Sequence, residues 1–210
     1  MAVLYEMRYG AAYAYAQLSE FRGILTDRAV SNQCSQYTPL PFSNDSTIGV
    51  PLFIRGLTQL SHNIEKAESW ASENNVSSEQ LAATRLHPDM LPLAFQVQFA
   101  CNVAKGVLHR VAGTEWVVHE DNETTTAQLK DRIERTLKLL RGAEGNKDAF
   151  KGKENTEVSV QVPGKEFKFT GTVYISYWSI PNFYFHITTA YDILRKEGVP
   201  LGKPDFLGMP

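Results

Sequence analysis

Residues 181–198, PNFYFHITTAYDILRKEG, decide the fold, because they mark both ends of one helix. Pro181 suits a first helical position, where its missing N–H has no intrahelical partner to lose. Two cations occupy the last turn, and Gly198 favours the left-handed conformation that ends a helix. The body is apolar and carries one imidazole, His186, with Asn182 one turn earlier on the same face. We therefore predict a largely buried helix with one candidate functional histidine.

The composition is that of an ordinary water-soluble protein. Of the 210 residues, 43% are hydrophobic and 21% are charged, which is enough for a substantial core. A net charge of -2, without a block of Lys or Arg, argues against a nucleic-acid partner. No apolar run approaches membrane-spanning length, and the N-terminus lacks a signal-peptide pattern. Cys34 and Cys101 fit neither a metal spacing nor a disulfide framework, so we expect a cytoplasmic protein.

Three more helices and one hairpin are predicted before that stretch. Apolar residues recur at helical spacing in three segments, about 48–72, 90–112 and 125–141. Valines alternate with polar residues before a Pro163-Gly164 turn, and phenylalanines alternate with lysines after it, which predicts a β-hairpin over 158–169. Because each helix has an apolar face to bury, we predict an all-α four-helix bundle with a small β-hairpin between helices 3 and 4.

The chain divides into two parts of unequal size. Tyr5, Tyr9 and Tyr13 repeat every four residues, which is typical of a helical stripe, although the segment fits a docked helix and a simple extension equally well. A polar, proline-containing stretch follows and has the composition of a linker. We therefore expect an N-terminal extension with its linker at 1–45 and the bundle domain at 46–208. The extension is also where a homodimer contact could form.

Several sequence blocks between Ser46 and Gly208 resemble a single family. They are PLFIRGL at 51–57, RLHPDM at 85–90, PLAFQVQ at 92–98, EDNETT at 120–125, FTG at 169–171, PNFYFH at 181–186 and LRKEGVPLGKPDFLG at 194–208. The chain is similar to an uncharacterised family of helical-bundle proteins, a domain of unknown function in the DinB-like superfamily. The resemblance implies a DinB-like four-helix bundle.

The resemblance also bears on metal binding. Many members of the superfamily hold a divalent metal ion through three histidines, one on the second helix and an HxxxH pair on the fourth. Some members are thiol-dependent transferases or isomerases. In this chain the pair is Asn182-x-x-x-His186, and the second helix offers Gln98 or Asn102 in place of a histidine. Because amides are weak ligands for zinc or nickel, we expect no intact tri-histidine site, no metal and no other cofactor.

His186 and one stripe of the second helix are the main candidates for a site. His186 is either a general base or remnant metal ligand, or a core histidine hydrogen-bonded to Asn182 or to a backbone carbonyl. The stripe consists of Gln98, Asn102, Lys105 and His109. It either meets His186 in a polar pocket or forms the solvent face of its helix. On both interpretations we expect Lys105 and His109 to be exposed.

Arg55 is a third candidate, because it interrupts an apolar helical stretch. It either holds a carboxylate ligand or is exposed or ion-paired, with Asp89 or Asp205 as the partner. His87 to Asp89 should form a turn, and Cys101 should be a small buried residue.

The sequence therefore favours a small-molecule-binding bundle with its pocket near the last helix. The predicted ligand-binding residues are His186, Asn182, Gln98, Asn102 and Arg55. The alternative is a transferase or isomerase on the same scaffold, with His186 as the acid–base group or a metal ligand.

Overall fold

The computed structural model describes residues 49–146, 148–162 and 164–209. In chain order the elements are α1 (Gly49–Glu73), α2 (Ser78–Ala83), α3 (Leu93–Val107), α4 (Thr126–Glu144), β1 (Glu157–Val162), β2 (Lys165–Thr170), α5 (Gly171–Val173), α6 (Ile180–Glu197) and α7 (Lys203–Leu207). Two π-helical segments continue α3 and join α5 to α6; they are Leu108–Ala112 and Tyr174–Ser179. The N-terminal extension predicted for 1–45 lies outside the described residues, as does Pro163 of the predicted turn.

The four long helices α1, α3, α4 and α6 pack in a ring. Helix α1 contacts α4 and α6, and α3 contacts the same two helices. Side chains three or four positions apart fill the centre, including Phe53, Leu57, Leu60, Ile64, Val97, Leu129, Ile133, Leu137, Phe183 and Ile193. Each buried side chain of this kind stabilises the fold by about 1.5–3 kcal/mol. The predicted helical fold, with a hairpin between the third and fourth long helices, is confirmed.

Short polar motifs determine where α2 and α4 begin. The Ser77 hydroxyl accepts a hydrogen bond from the Gln80 N–H, and the Gln80 side chain accepts one from the Ser77 N–H. Thr125 and Gln128 make the same reciprocal pair before α4. Each pair satisfies two N–H groups that a helix start leaves unbonded.

The hairpin buries a single apolar face against the core. Val158 lies opposite Phe169 and Val160 lies opposite Phe167 in the antiparallel ladder. Alternation along each strand directs both valines and Phe169 into the core. Phe169 contacts Trp178, at 5.5 Å between ring centroids, which attaches the hairpin to the segment leading into α6.

Helical turns precede Pro181, so this proline lies within a continuous helical stretch and is not its first residue. In a regular α-helix the ring of Pro181 would clash with the carbonyl four residues earlier. The wider π-helical turn of Tyr174–Ser179 comes immediately before it and relieves this conflict. Gly198 ends α6 as predicted, with φ 102°.

The tail after Gly198 contains a short helix, α7, although glycine and proline there disfavour regular structure. The Asp205 carboxylate accepts a hydrogen bond from the Gly202 N–H at 2.6 Å and caps the helix start. Pro204 occupies the first turn, where proline is tolerated, and Gly208 ends the helix with φ 65°. Helix α7 packs against α1 and forms one wall of the cleft described below.

Candidate functional site

His186 lies on the buried face of α6 and meets α3. Its Nδ1 is 2.8 Å from Oε1 of Gln96, and both residues are almost completely buried. The Gln96 amide nitrogen donates to the Leu91 carbonyl at 2.9 Å, so its amide oxygen is directed at the ring. Nδ1 of His186 must therefore be the donor, which assigns the hydrogen of the neutral ring to that nitrogen. Gln96, rather than Asn182 or a backbone carbonyl, is the partner.

Aromatic rings surround His186 on its outer side. The ring centroids of Phe99 and Phe185 lie 4.6 and 5.2 Å from that of the imidazole. Burial lowers the pKa of His186 from 6.5 to about 4. Since the protonated ring would lose its hydration here, His186 is neutral near pH 7. Asn182 is half-buried one turn earlier on the same helix.

Gln98 and Asn102 face α4 instead of His186. Both belong to a buried group that we call the Arg132 network: Arg132, Glu123, Asp121, Gln98 and Asn102. Nη1 of Arg132 donates to both carboxylate oxygens of Glu123, at 2.9 and 3.1 Å, and Nη2 donates to Asn102 Oδ1 at 2.9 Å and to Asp121. The Gln98 amide donates to Glu123 at 3.1 Å. Gln98 and Asn102 therefore neither meet His186 in a pocket nor form a solvent face, because their side chains bond to Glu123 and Arg132.

Charge pairing controls ionisation in the Arg132 network. The Arg132 side chain is fully buried and that of Glu123 is 6% exposed. Burial alone would raise the pKa of Glu123, but the hydrogen bonds and positive charge of Arg132 outweigh it and hold that pKa below the usual value. The network thus ties Glu123, in its ionised form, to both α3 and α4.

Lys105 is buried, which contradicts the prediction that it is exposed. Its ammonium group donates to the Val117 carbonyl at 2.8 Å and lies 4.6 Å from the centre of the Trp116 ring. Burial, followed by the charge of Arg132, lowers the pKa of Lys105 to about 8. His119 is buried beside this group, and burial with the nearby cations lowers its pKa to about 3. His109 is exposed, as predicted.

Arg55 lines a small cleft between α1, α6 and α7, which we call the α1–α7 cleft. The lining residues are Arg55, Gly56, Gln59, Tyr184, Ile187, Phe206 and Leu207, and the cavity volume is about 80 Å³. Arg55 is exposed and donates from Nη2 to the Leu207 carbonyl at 2.8 Å, next to the end of α7. Tyr184 donates to the Leu52 carbonyl at 3.3 Å, and burial raises its pKa. The cleft therefore combines one guanidinium with an apolar floor.

The two acidic residues expected near Arg55 have other partners. Asp205 accepts from Lys66 at 2.7 Å, and this hydrogen bond lowers the pKa of the carboxylate. Asp89 contacts His87 within the predicted turn. Arg55 is thus exposed, as one of the two interpretations expected, and its hydrogen-bond partner is a backbone carbonyl and not a carboxylate. It also lines a cleft, which the other interpretation, binding of a carboxylate ligand, requires.

Gln96, Arg132 and the two loop carboxylates Asp121 and Glu123 were not predicted from the sequence. Gln96 lies inside the quoted block at 92–98, and Glu123 lies inside the block at 120–125. Arg132 occurs between Leu129 and Ile133 on the apolar face of α4, so its helical position was the signal that it is buried. The missing information was which loop carboxylates reach it.

The described residues contain neither a metal-binding cluster nor a membrane-spanning helix. Within the part of the chain that the structure describes, no group of three or more His, Cys, Asp or Glu side chains is arranged to hold a metal ion. Among the helices of residues 49–146, 148–162 and 164–209, none combines the length and apolarity needed to cross a bilayer.

Comparisons with known proteins place this architecture in context. A family model described as "Domain of unknown function (DUF1993)" matches residues 46–207. The chain is also similar to a crystal structure of a DinB family member protein from Shewanella denitrificans, with 38% sequence identity and a TM-score of 0.70. That similarity covers 78% of this chain and 91% of the other. No curated protein matches the chain.

Proposed function

The chain belongs to the DUF1993 domain family and is DinB-like, and we propose that it binds a short-chain carboxylate in the α1–α7 cleft, without a tri-histidine metal site. The observation that carries this proposal is an exposed guanidinium, Arg55, at the edge of a cleft whose other lining is mainly apolar. Guanidinium groups pair with carboxylates through two parallel hydrogen bonds. Apolar walls favour the hydrocarbon part of such a ligand.

The dimensions of the cleft support a small occupant. Pockets for drug-sized ligands have volumes of roughly 300–1,000 Å³. The volume here is about 80 Å³, so we infer a ligand of a few heavy atoms or one end of a longer molecule. The bond from Arg55 to the Leu207 carbonyl holds the guanidinium in place before binding, which lowers the entropy cost of association.

Thermal unfolding in the presence of acetate, propionate and butyrate tests this proposal. A ligand at 100 times its dissociation constant adds about 2.7 kcal/mol to stability, which raises Tm by roughly 5–10 °C in a chain of this size. We expect Arg55→Gln to abolish the increase. Arg141→Gln is the matched control, because Arg141 is also exposed but lies at the end of α4. Equal increases in both variants, or none with the wild type, would contradict the proposal.

The enzyme alternative depends on His186. The neutral ring, with its hydrogen on Nδ1, carries the lone pair of a base on Nε2. Only 2% of His186 is exposed, however, so a substrate would have to displace the phenylalanines around it. We therefore rank catalysis below binding in the cleft. A transferase or isomerase activity that His186→Gln abolishes, while Tm and carboxylate binding are kept, would reverse this order.

A cytoplasmic location is part of the same proposal. Cys101 is a free thiol in the core, and burial raises its pKa, so it is protected from oxidation. What supports a reducing compartment is that this cysteine is a free thiol and not part of a disulfide.

A further inference from the structure

A second polar side chain, that of Gln59, lies beside Arg55 in the α1–α7 cleft. The two residues are four positions apart on α1, so their side chains share one face of the helix, with about 5–6 Å between their Cβ atoms. Both residues line the cavity. A carboxylate bound to Arg55 would therefore have the Gln59 amide as a close polar neighbour.

The end of α7 determines where the Gln59 amide lies. A Cβ atom added to Gly208 would be 2.3 Å from Nε2 of Gln59 and 2.9 Å from its Oε1. The amide thus lies directly against the Cα atom of Gly208, a contact that only glycine permits. Gly208 also has φ 65°, in the left-handed region that favours glycine. The preceding residue, Leu207, provides the carbonyl that binds Arg55, so one turn of the backbone positions both side chains.

The Gln59 amide is available to a ligand. The guanidinium of Arg55 already binds the Leu207 carbonyl, and the Tyr184 hydroxyl already binds the Leu52 carbonyl. Among the polar side chains that line the cleft, only that of Gln59 makes no hydrogen bond to another of the described residues. Gln59 is also half-buried. A partly dehydrated amide gains from a ligand hydrogen bond, because it gives up little water to form it.

The chemistry of an amide indicates which ligand group it would bind. Its oxygen accepts and its nitrogen donates, and a hydroxyl group can pair with either atom. An ammonium group would require an acidic partner, and none of the described residues that line the cleft is Asp or Glu. The volume of about 80 Å³ holds only a few heavy atoms, which favours a hydroxyl group on the carbon next to the carboxylate.

We propose that the α1–α7 cleft binds short 2-hydroxycarboxylates, with Arg55 on the carboxylate and Gln59 on the 2-hydroxyl group. This inference rests on the proposed binding of a carboxylate, and it adds the ligand class and the residue that determines specificity. Carboxylates of the same length without the hydroxyl group leave the Gln59 amide without that hydrogen bond, and they therefore bind more weakly.

Calorimetric titration with propionate and with each enantiomer of lactate tests the inference, because lactate differs from propionate only by the 2-hydroxyl group. One neutral hydrogen bond changes affinity by roughly three- to tenfold, so we expect the better lactate enantiomer to bind about fivefold more tightly than propionate. In Gln59→Leu this preference should vanish, while propionate binding is kept. Gln161→Leu is the matched control, because Gln161 is exposed on β1, and this variant should retain the preference.

The titrations separate this inference from the proposed function. Equal affinities for lactate and propionate in the wild type would overturn the inference, and so would a preference that persists in Gln59→Leu. In both cases carboxylate binding itself stands if propionate binding weakens in Arg55→Gln. A wild type without Arg55-dependent binding of propionate would refute the proposed function and the inference together. Should Gln59→Leu not fold, Gln59→Met, which has a side chain of similar length without an amide, must show the same loss of preference.

Discussion

Replacing Glu123 with Gln tests whether the Arg132 network holds α3, α4 and the loop between them together. The substitution keeps the shape of the side chain but removes the charge that faces both Nη1 hydrogen bonds of Arg132. Breaking a buried ion pair by removing one partner costs about 3–5 kcal/mol. Asp121 remains as a second counter-charge and is 20% exposed. We therefore expect a loss at the lower end of that range, about 3 kcal/mol.

Urea unfolding at pH 7 measures this loss as a lower midpoint at an unchanged slope. Glu68→Gln is the matched control, because it removes one carboxylate from a surface ion pair with Lys130 at 2.9 Å, with both side chains 31% exposed. Pairs of that kind contribute about 0.2–1 kcal/mol. If Glu123→Gln loses no more stability than Glu68→Gln, the network does not hold the loop, and the reasoning is refuted.

The pH dependence provides an independent check on Glu123. Its folded pKa lies below the ordinary value of 4.5, so its ionised form stabilises the native state. This contribution is complete above pH 4.5 and disappears as the pH falls through the lower folded pKa. The difference between wild type and Glu123→Gln should therefore shrink in acid.

Further predictions concern His186 and two glycines. The folded pKa of His186 is about 4 against 6.5 unfolded, so stability should fall by about 2 kcal/mol between pH 6.5 and 5. In His186→Gln that part of the slope should vanish from urea unfolding curves, and an unchanged slope would contradict a buried neutral ring. Gly56→Ala should cost about 1–3 kcal/mol, because its Cβ would lie 2.5 Å from the Phe183 ring. Gly142 lies in α4, and a Cβ atom added to it would meet no other atom within 4 Å. Gly142→Ala should therefore raise the free energy of unfolding by about 0.5–1 kcal/mol, as measured by thermal unfolding.

Helical periodicity was sufficient to predict the elements but not the polar contacts. The apolar sequence around His186 predicted that this side chain is buried, and it is. Its partner could not be assigned, because α3 is apolar nearly all round and has no clear phase. Gln96 and Gln98 are about 200° apart on such a helix, so only the packing decides that Gln96 faces α6 and Gln98 faces α4.

The Arg132 network depends on the conformation of an irregular loop. Asp121 has φ 54°, a backbone conformation that periodicity does not encode. Without that turn, the carboxylates of the loop cannot be placed beside Arg132. The cleft could not be predicted for a similar reason, since α7, which forms one of its walls, arises from a segment rich in Gly and Pro.

The most direct test of the account is the dissociation constant of butyrate, measured by calorimetric titration of the wild type and of Arg55→Gln. The guanidinium of Arg55 supplies the charge that we assign to ligand recognition in the α1–α7 cleft. Charge-assisted hydrogen bonds contribute about 1.5–3 kcal/mol, so we predict binding at least tenfold weaker in Arg55→Gln. Equal dissociation constants for the two proteins would contradict the account, because the ligand would then bind elsewhere.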